Sequence, residues 1–132
     1  MKQLLIASLV IFCASSPPSS GAQELNASQK EKTALRKAQK LRKRLLKGAN
    51  FYNTARRYSD DPGSAPLGGE LGWVGWGQFV PEFEDAVAQL KPDELSEPVR
   101  TPFGYHLIQL VDRTENQFNA RHILVKIPSE SP

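Results

Sequence analysis

An α+β fold, with helices packed on one antiparallel sheet, is predicted by three features of this 132-residue chain. Ala34, Leu35, Ala38, Leu41, Leu45 and Leu46 recur at helical spacing, as do Phe83, Ala86, Val87 and Leu90. "YHLIQLVDR" and "NARHILVKI" are rich in branched residues and are separated by the turn-like "TENQ", which predicts a β-hairpin. The order of segments is helix, helix, loop, short strand, helix, strand, strand, strand. The length and the ordinary composition, 39% hydrophobic and 23% charged, fit one domain.

The N-terminus reads as a targeting signal. Lys2 precedes an apolar run from Leu4 to Ala14, then small residues and Pro. That run is short of the ~20 residues a bilayer span takes. Ser20-Gly21-Ala22 offers small residues at −3 and −1 of a cleavage site, so residues 1–22 are assigned to a cleaved signal and 23–27 to a short linker. The mature chain is then periplasmic or otherwise exported, with no stable membrane span. Phe12 stands before Cys13 where a lipoprotein needs a small residue, so lipidation is the lesser reading. Without Cys13 the mature chain has no cysteine, which excludes a disulfide, a thiolate nucleophile and a Cys-based metal site.

Residues 28–128 form the expected domain. Ser28-x-x-Glu31 is a capping box opening a helix of some twenty residues that Gly48 stops. The net charge of +3 is concentrated between Lys30 and Lys47, where Glu31 is the one acid. No aromatics interleave there, so the run is read as a solvated helix face and no nucleic-acid partner is assigned. "ANFYNTARRYS" gives a second, short helix, and "DDPGSAPLGG" a loop dense in turn residues. Leu71, Trp73 and Trp76, set among glycines, suggest a short strand or an irregular segment. Pro81 suits the first turn of the helix in "PEFEDAVAQL". "LSEPVRT" reads as a short edge strand, because Pro98 cannot donate to a ladder.

His106 and His122 lie on adjacent strands of the hairpin and share a hydrogen-bond network if they face each other. A zinc site with Asp61 lacks a convincing third ligand. No nucleophile elbow or phosphate loop is present. Asp60-Asp61 and Glu84-Asp85 are sequence neighbours, read as loop and helix surface.

The stretch from Tyr58 to Leu110 resembles a parvulin-type (rotamase) peptidyl-prolyl cis–trans isomerase. The similarity runs from about Leu41 to Arg113. It rests on Tyr-Ser-Asp-Asp-Pro-Gly-Ser, Gly-Gly-Glu-Leu-Gly-Trp, Val-Pro-Glu-Phe-Glu and Phe-Gly-Tyr-His-Leu-Ile. It is most similar to exported, periplasmic members that act as folding factors for outer-membrane proteins. The resemblance implies a parvulin-like (FKBP-like) sheet with flanking helices and a proline pocket built by the glycine-rich segment and the following helix. Leu71, Phe79 and Phe83 resemble the apolar wall around the substrate proline, with Phe79 where the family often has Met. His106 resembles the histidine of the last strand, and Thr101 the threonine bonded to the histidine pair. Asp61 stands where members carry Cys or Asp. Phe103 stands where phosphate-directed members have Ser. Trp73 is read as packing only.

One departure matters. Family domains begin with a strand like "ARHILVK", whose histidine partners the one in the last strand. Here that strand comes last, as Ala120 to Lys126 with His122. The chain is either circularly permuted or a piece of a tandem-domain protein. The strand completes the sheet in the same chain or, exchanged with a second copy, in a dimer. The short turn favours the same chain.

The implied activity is isomerisation of X–Pro bonds in unfolded or proline-containing polypeptides. Amide resonance sets a barrier of ~18–20 kcal/mol, and no covalent step or cofactor is needed to lower it. The histidines, with Thr101 and Asp61, serve as orienting groups. The rival reading is a non-catalytic chaperone or peptide-binding module.

Overall fold

The computed structural model describes residues 19–128. Residues 1–18 of the segment read as a signal, including Cys13, lie outside them. Helix α1 spans Ser19–Leu46 and α2 Phe51–Tyr58. A 3-10 turn at Ala65–Leu67 leads to β1, Glu70–Gly75. Then follow α3 (Pro81–Gln89), β2 (Val99–Thr101), β3 (Gly104–Arg113) and β4 (Gln117–Lys126). The four strands form one antiparallel sheet in the order β1-β4-β3-β2. No helix among the described residues is long and apolar enough to cross a membrane.

Two expectations about α1 need correction. The helix starts before Ser28, so the segment 23–27, expected as a linker, is helical and Ser28-x-x-Glu31 is not its N-terminal box. The run Gln23-Glu24-Leu25-Asn26-Ala27 has no Gly or Pro, and adding a residue to an existing helix costs far less than starting one. Leu46, expected on the buried stripe, is 60% exposed at the last residue of the helix. Helix α2 is capped by Asn50, whose side chain accepts from the Asn53 N–H at 2.9 Å. Pro81 opens α3, where its missing N–H costs nothing.

Alternation along β3 and β4 divides the sheet into two faces. Tyr105, Leu107, Ile123 and Val125 pack with Ala34, Ala38 and Leu41 of α1 and Phe51 and Ala55 of α2. Ile108, Leu110, Phe118 and Ala120 pack on the opposite face with Phe83, Val87 and Leu90.

A β-bulge sets which residues share a face. Near the turn, Arg113 pairs with Phe118 and Asp112 with Asn119; past Val111 the pairing becomes Leu110 with Ala120 and His106 with Leu124. Val111 is thus an extra residue on β3. Continued without it, the first register would put His106 opposite Val125, on the α1 side, while His122 stayed on the α3 side. A one-residue slip exchanges faces, and the bulge makes that slip. Both histidines therefore point to the α3 face.

Strand β4 is central and its two long edges are filled from different places. Its first half pairs with β1, from Gly75↔Gln117 to Glu70↔Arg121. Beyond that, the His122 N–H donates to the Gly69 carbonyl, the Asp60 N–H to the Leu124 carbonyl, and the Lys126 N–H to the Asp60 carboxylate. The Asp60–Gly69 loop is thereby laid along β4 beside His122. Gly69 is needed for that approach: its φ is +85°, and a Cβ there would lie 2.4 Å from the His122 carbonyl oxygen.

Candidate functional site

The end of the α3 face is a pocket of about 270 Å³ lined by Asp61, Gln78, Phe79, Val80, Phe83, Phe103, His106, His122 and Leu124. Its apolar part comes from three elements. Phe83 projects from α3 and is fully buried beneath the pocket. Phe79 stacks on it, with ring centroids 4.8 Å apart and planes at 28°. Phe103, on the β2–β3 turn, stands 57% exposed at the rim. Phe79 is held by its own loop: the Glu84 carboxylate accepts from the Gly77 N–H at 2.8 Å and the Phe79 N–H at 3.0 Å.

The polar part is a continuous chain of hydrogen bonds. The Phe103 N–H donates to Thr101 Oγ1 at 3.2 Å. Thr101 Oγ1 lies 2.8 Å from His106 Nε2, and His106 Nδ1 lies 3.0 Å from His122 Nδ1. His122 Nε2 lies 2.9 Å from Asp61 Oδ2, and Ser64 Oγ donates to the same carboxylate oxygen at 2.6 Å. Phe83 meets both imidazoles edge-on, at 5.3 Å for His106 and 5.5 Å for His122.

Protonation follows from these contacts. Burial pushes His106 down to about 4, helped by the neighbouring His122 and opposed by Asp61. Burial also lowers His122, against the pull of the Asp61 carboxylate. For Asp61, burial acts upward but the hydrogen bonds from Ser64 and His122 outweigh it, so the carboxyl is held below its ordinary value. Near neutral pH both imidazoles are neutral and Asp61 is ionised. One proton arrangement satisfies every contact. His122 carries its proton on Nε2, facing the carboxylate. Its Nδ1 then accepts from His106 Nδ1–H, and His106 Nε2 accepts from the Thr101 hydroxyl. All donors point toward Asp61, the only charged group lining the pocket among the described residues.

The sequence-predicted residues fall into two groups. Asp61, Phe79, Phe83, Phe103, His106 and His122 line the pocket, with Thr101 bonded behind them. Leu71 does not line it: as the extra residue of the β1 bulge it packs, partly buried, against the apolar cluster under α3. Trp73, expected to pack, is 47% exposed on β1. Glu84, read as helix surface, ties down the Phe79 loop. Sequence reasoning also missed Ser64 and Leu124. Ser64 stands three positions after Asp61 at a 3-10 turn, a spacing at which a hydroxyl can return to an aspartate, and Leu124 shares the parity of His122 on its strand.

The paired histidines lie over an aromatic floor, with an ionised carboxylate at one end. Among known proteins, the rotamase family model, the PPIC-type PPIase domain, matches residues 11–112. The chain belongs to the PPIC-type PPIase domain family. Its match begins inside the segment read as a signal and stops before β4. Among relatives of the domain, a foldase protein PrsA from a Geobacillus species is 49% identical over 80 residues, which are 61% of this chain and 29% of that protein. A chaperone SurA from Nitrosococcus oceani is 44% identical over 110 residues, 80% of this chain and 25% of that one. The crystal structure of the peptidylprolyl isomerase PrsA from Bacillus cereus superposes with a TM-score of 0.58 at 45% identity, covering 62% of this chain and 32% of that one. The chain thus spans under a third of the length of these PPIC-domain relatives. The α+β, parvulin-like architecture expected from the sequence is the one observed.

Proposed function

We propose that this chain is a peptidyl-prolyl cis–trans isomerase that assists the folding of exported polypeptides. The observation that carries the reading is the meeting, in one pocket, of an aromatic floor with a neutral histidine pair and the Asp61 carboxylate. In this reading the proline ring enters between Phe79 and Phe103, above the buried Phe83. The ring is held while the amide turns. The planar amide owes its barrier to a charge-separated resonance form with negative charge on oxygen. An ionised carboxylate held near that oxygen disfavours this form and so favours the twisted amide. This is differential binding of the transition state by fixed charges, with no proton transferred and no covalent bond formed. His122 bonds Asp61, with His106 and Thr101 continuing the chain behind it, and burial keeps both histidines neutral. Among the described residues the pocket lining offers Asp61 and no cation, which does not favour a phosphorylated substrate.

The central β4 supports a further part of this reading. It stands beside the last long strand and carries His122, as the family's opening strand does, so the chain is read as a permuted PPIC domain completed by its own C-terminal strand. The export assignment rests on the N-terminal sequence.

The test is exchange spectroscopy on a short Ala-Pro peptide with the whole chain. Catalysed exchange is expected, and Phe79→Ala should weaken it roughly tenfold or more while the fold persists. Phe83→Ala should abolish it, with a melting curve to separate loss of the floor from loss of the fold. A folded chain with no catalysed exchange would favour the peptide-binding module instead, a reading that the chaperone name of the SurA relatives and the exposed Phe103 support.

A further inference from the structure

Asp61 carries the one charge of the site, yet it projects from a loop and its side chain keeps 29% of its surface exposed. A carboxylate so placed is free to turn into water unless something holds it. The Asp60–Gly69 loop supplies that hold through one residue that the isomerase reading does not use. Ser64 is 2% exposed. Its hydroxyl donates to Asp61 Oδ2 at 2.6 Å, and its oxygen lies 3.1 Å from His122 Nε2. Its backbone is equally fixed: the Ser64 carbonyl accepts from the Leu67 N–H at 2.9 Å and the Gly69 N–H at 2.8 Å. Gly69 in turn accepts from the backbone N–H of His122 at 2.9 Å. Ser64 is therefore joined to His122 twice, once through side chains and once through Gly69.

We propose that Ser64 is a positioning residue of this site, whose hydroxyl pins Asp61 Oδ2 against His122 Nε2 and thereby fixes the direction of the whole hydrogen-bond chain to Thr101. The inference rests on the isomerase reading for its consequence in catalysis, and on geometry alone for its structural content. The Nε2–H of His122 meets two acceptors, Asp61 Oδ2 and Ser64 Oγ, while the Ser64 proton is committed to the carboxylate. No donor is left facing Nε2, so that nitrogen must keep its proton and Nδ1 must accept from His106. Without Ser64, the carboxylate loses a charge-assisted bond and its fixed rotamer. The ring nitrogens then lose their fixed assignment. Charged or titratable groups facing Asp61 are few: His122 directly and His106 behind it, with Asp60 turned toward the Lys126 N–H.

The experiment compares the full chain with its Ser64→Ala and Ser64→Cys variants by two readouts. The first is the nitrogen chemical shifts of both histidines in labelled protein. The unsubstituted chain should show a protonated Nε2 and a bare Nδ1 on His122, and the reverse on His106. Ser64→Ala should average the His122 shifts, with Ser64→Cys in between because a thiol is a weaker donor. The second is the pH profile of exchange on the Ala-Pro peptide, whose acidic limb should move upward by about one unit in Ser64→Ala, with the maximal rate down roughly tenfold. A residue that only shaped the loop would lower the melting temperature and leave both readouts where they were. Unchanged shifts and an unchanged acidic limb in a folded Ser64→Ala chain overturn the proposal. Should Ser64→Ala not fold, Ser64→Cys with unchanged shifts overturns it equally. If the unsubstituted chain catalyses nothing, the isomerase reading fails while the nitrogen shifts still decide the role of Ser64.

Discussion

The two faces of the β3–β4 hairpin are made from alternate residues of the same strands, yet they serve opposite ends. On the α1–α2 face, Leu107 and Ile123 are fully buried in a cluster of aliphatic and aromatic side chains. On the α3 face, the same pattern gives Ile108, Leu110 and Ala120 under α3, then breaks at His106 and His122. Those two are 5% and 3% exposed, as buried as the leucines, but each polar atom has a partner. A buried polar group left without a partner costs more than a hydrogen bond returns. The first face can therefore tolerate substitutions that keep volume, whereas the second depends on a complete chain of bonds.

Inserting one alanine between Ile108 and Gln109 is the strongest way to break this comparison. With the Val111 bulge kept, Leu110 still pairs with Ala120 but His106 moves opposite Val125, so the histidines fall on opposite faces. Loss of both catalysed exchange and the cooperative melt is expected in denaturation and exchange assays. A folded, active insertion variant would show that this register does not set the faces. Next in size, Leu107→Ala should cost about 2–5 kcal/mol in denaturant unfolding, as large-to-small changes in cores do, while catalysis per folded molecule stays unchanged. An equal loss of catalysis would mean that the two faces are not separable. The smallest effect is the pH response of the histidine face. Unfolded histidines take up protons near 6.5, and His106 in the folded chain resists until about 4. The stability that burial of neutral His106 contributes is thus complete above about pH 6.5 and falls as pH drops toward 4, by up to about 1.4 kcal/mol per unit, and His122, also lowered by burial, adds to the fall in the same direction. Asp61, held below its ordinary value, extends the fall further into acid. Replacing both histidines by a non-titrating pair should flatten that part of the stability curve, measured by urea unfolding between pH 4 and 7.

Much of the fold was legible because its signals are local. The helical spacing in α1 and α3, the cap and stop residues and the hairpin all lie within short windows. The start of α1 was misread because Ser28-x-x-Glu31 has the form of a cap, and form alone does not say whether a helix already runs through it. The facing of His106 and His122 was guessed from adjacency of strands. Simple counting back from "TENQ" would have set them on opposite faces, since nothing in the string of residues announces Val111 as surplus. Ser64 was hidden for a different reason. Its partners, Asp61 and His122, come together only when the loop lies along a strand from the far end of the chain, a contact between residues 58 positions apart. Leu71 illustrates the converse. The resemblance set it in the proline wall, and a bulge in β1 turned it toward the packing beneath α3.

The central place of β4 also has a meaning in time. Chains emerge from the ribosome N-terminus first, at roughly 5–20 residues per second. Among the described strands, β1 has no partner, and the hairpin only one arm, until the segment from Gln117 to Lys126 has been made. His122, the Asp60–Gly69 loop and the pocket wait on the same event. The nascent chain therefore carries β1 unpaired from Gly75 onward, while the β2–β3 pair waits only from Arg113. A chain read as a helper of other chains' folding depends, for its own sheet and site, on the last made of its described strands.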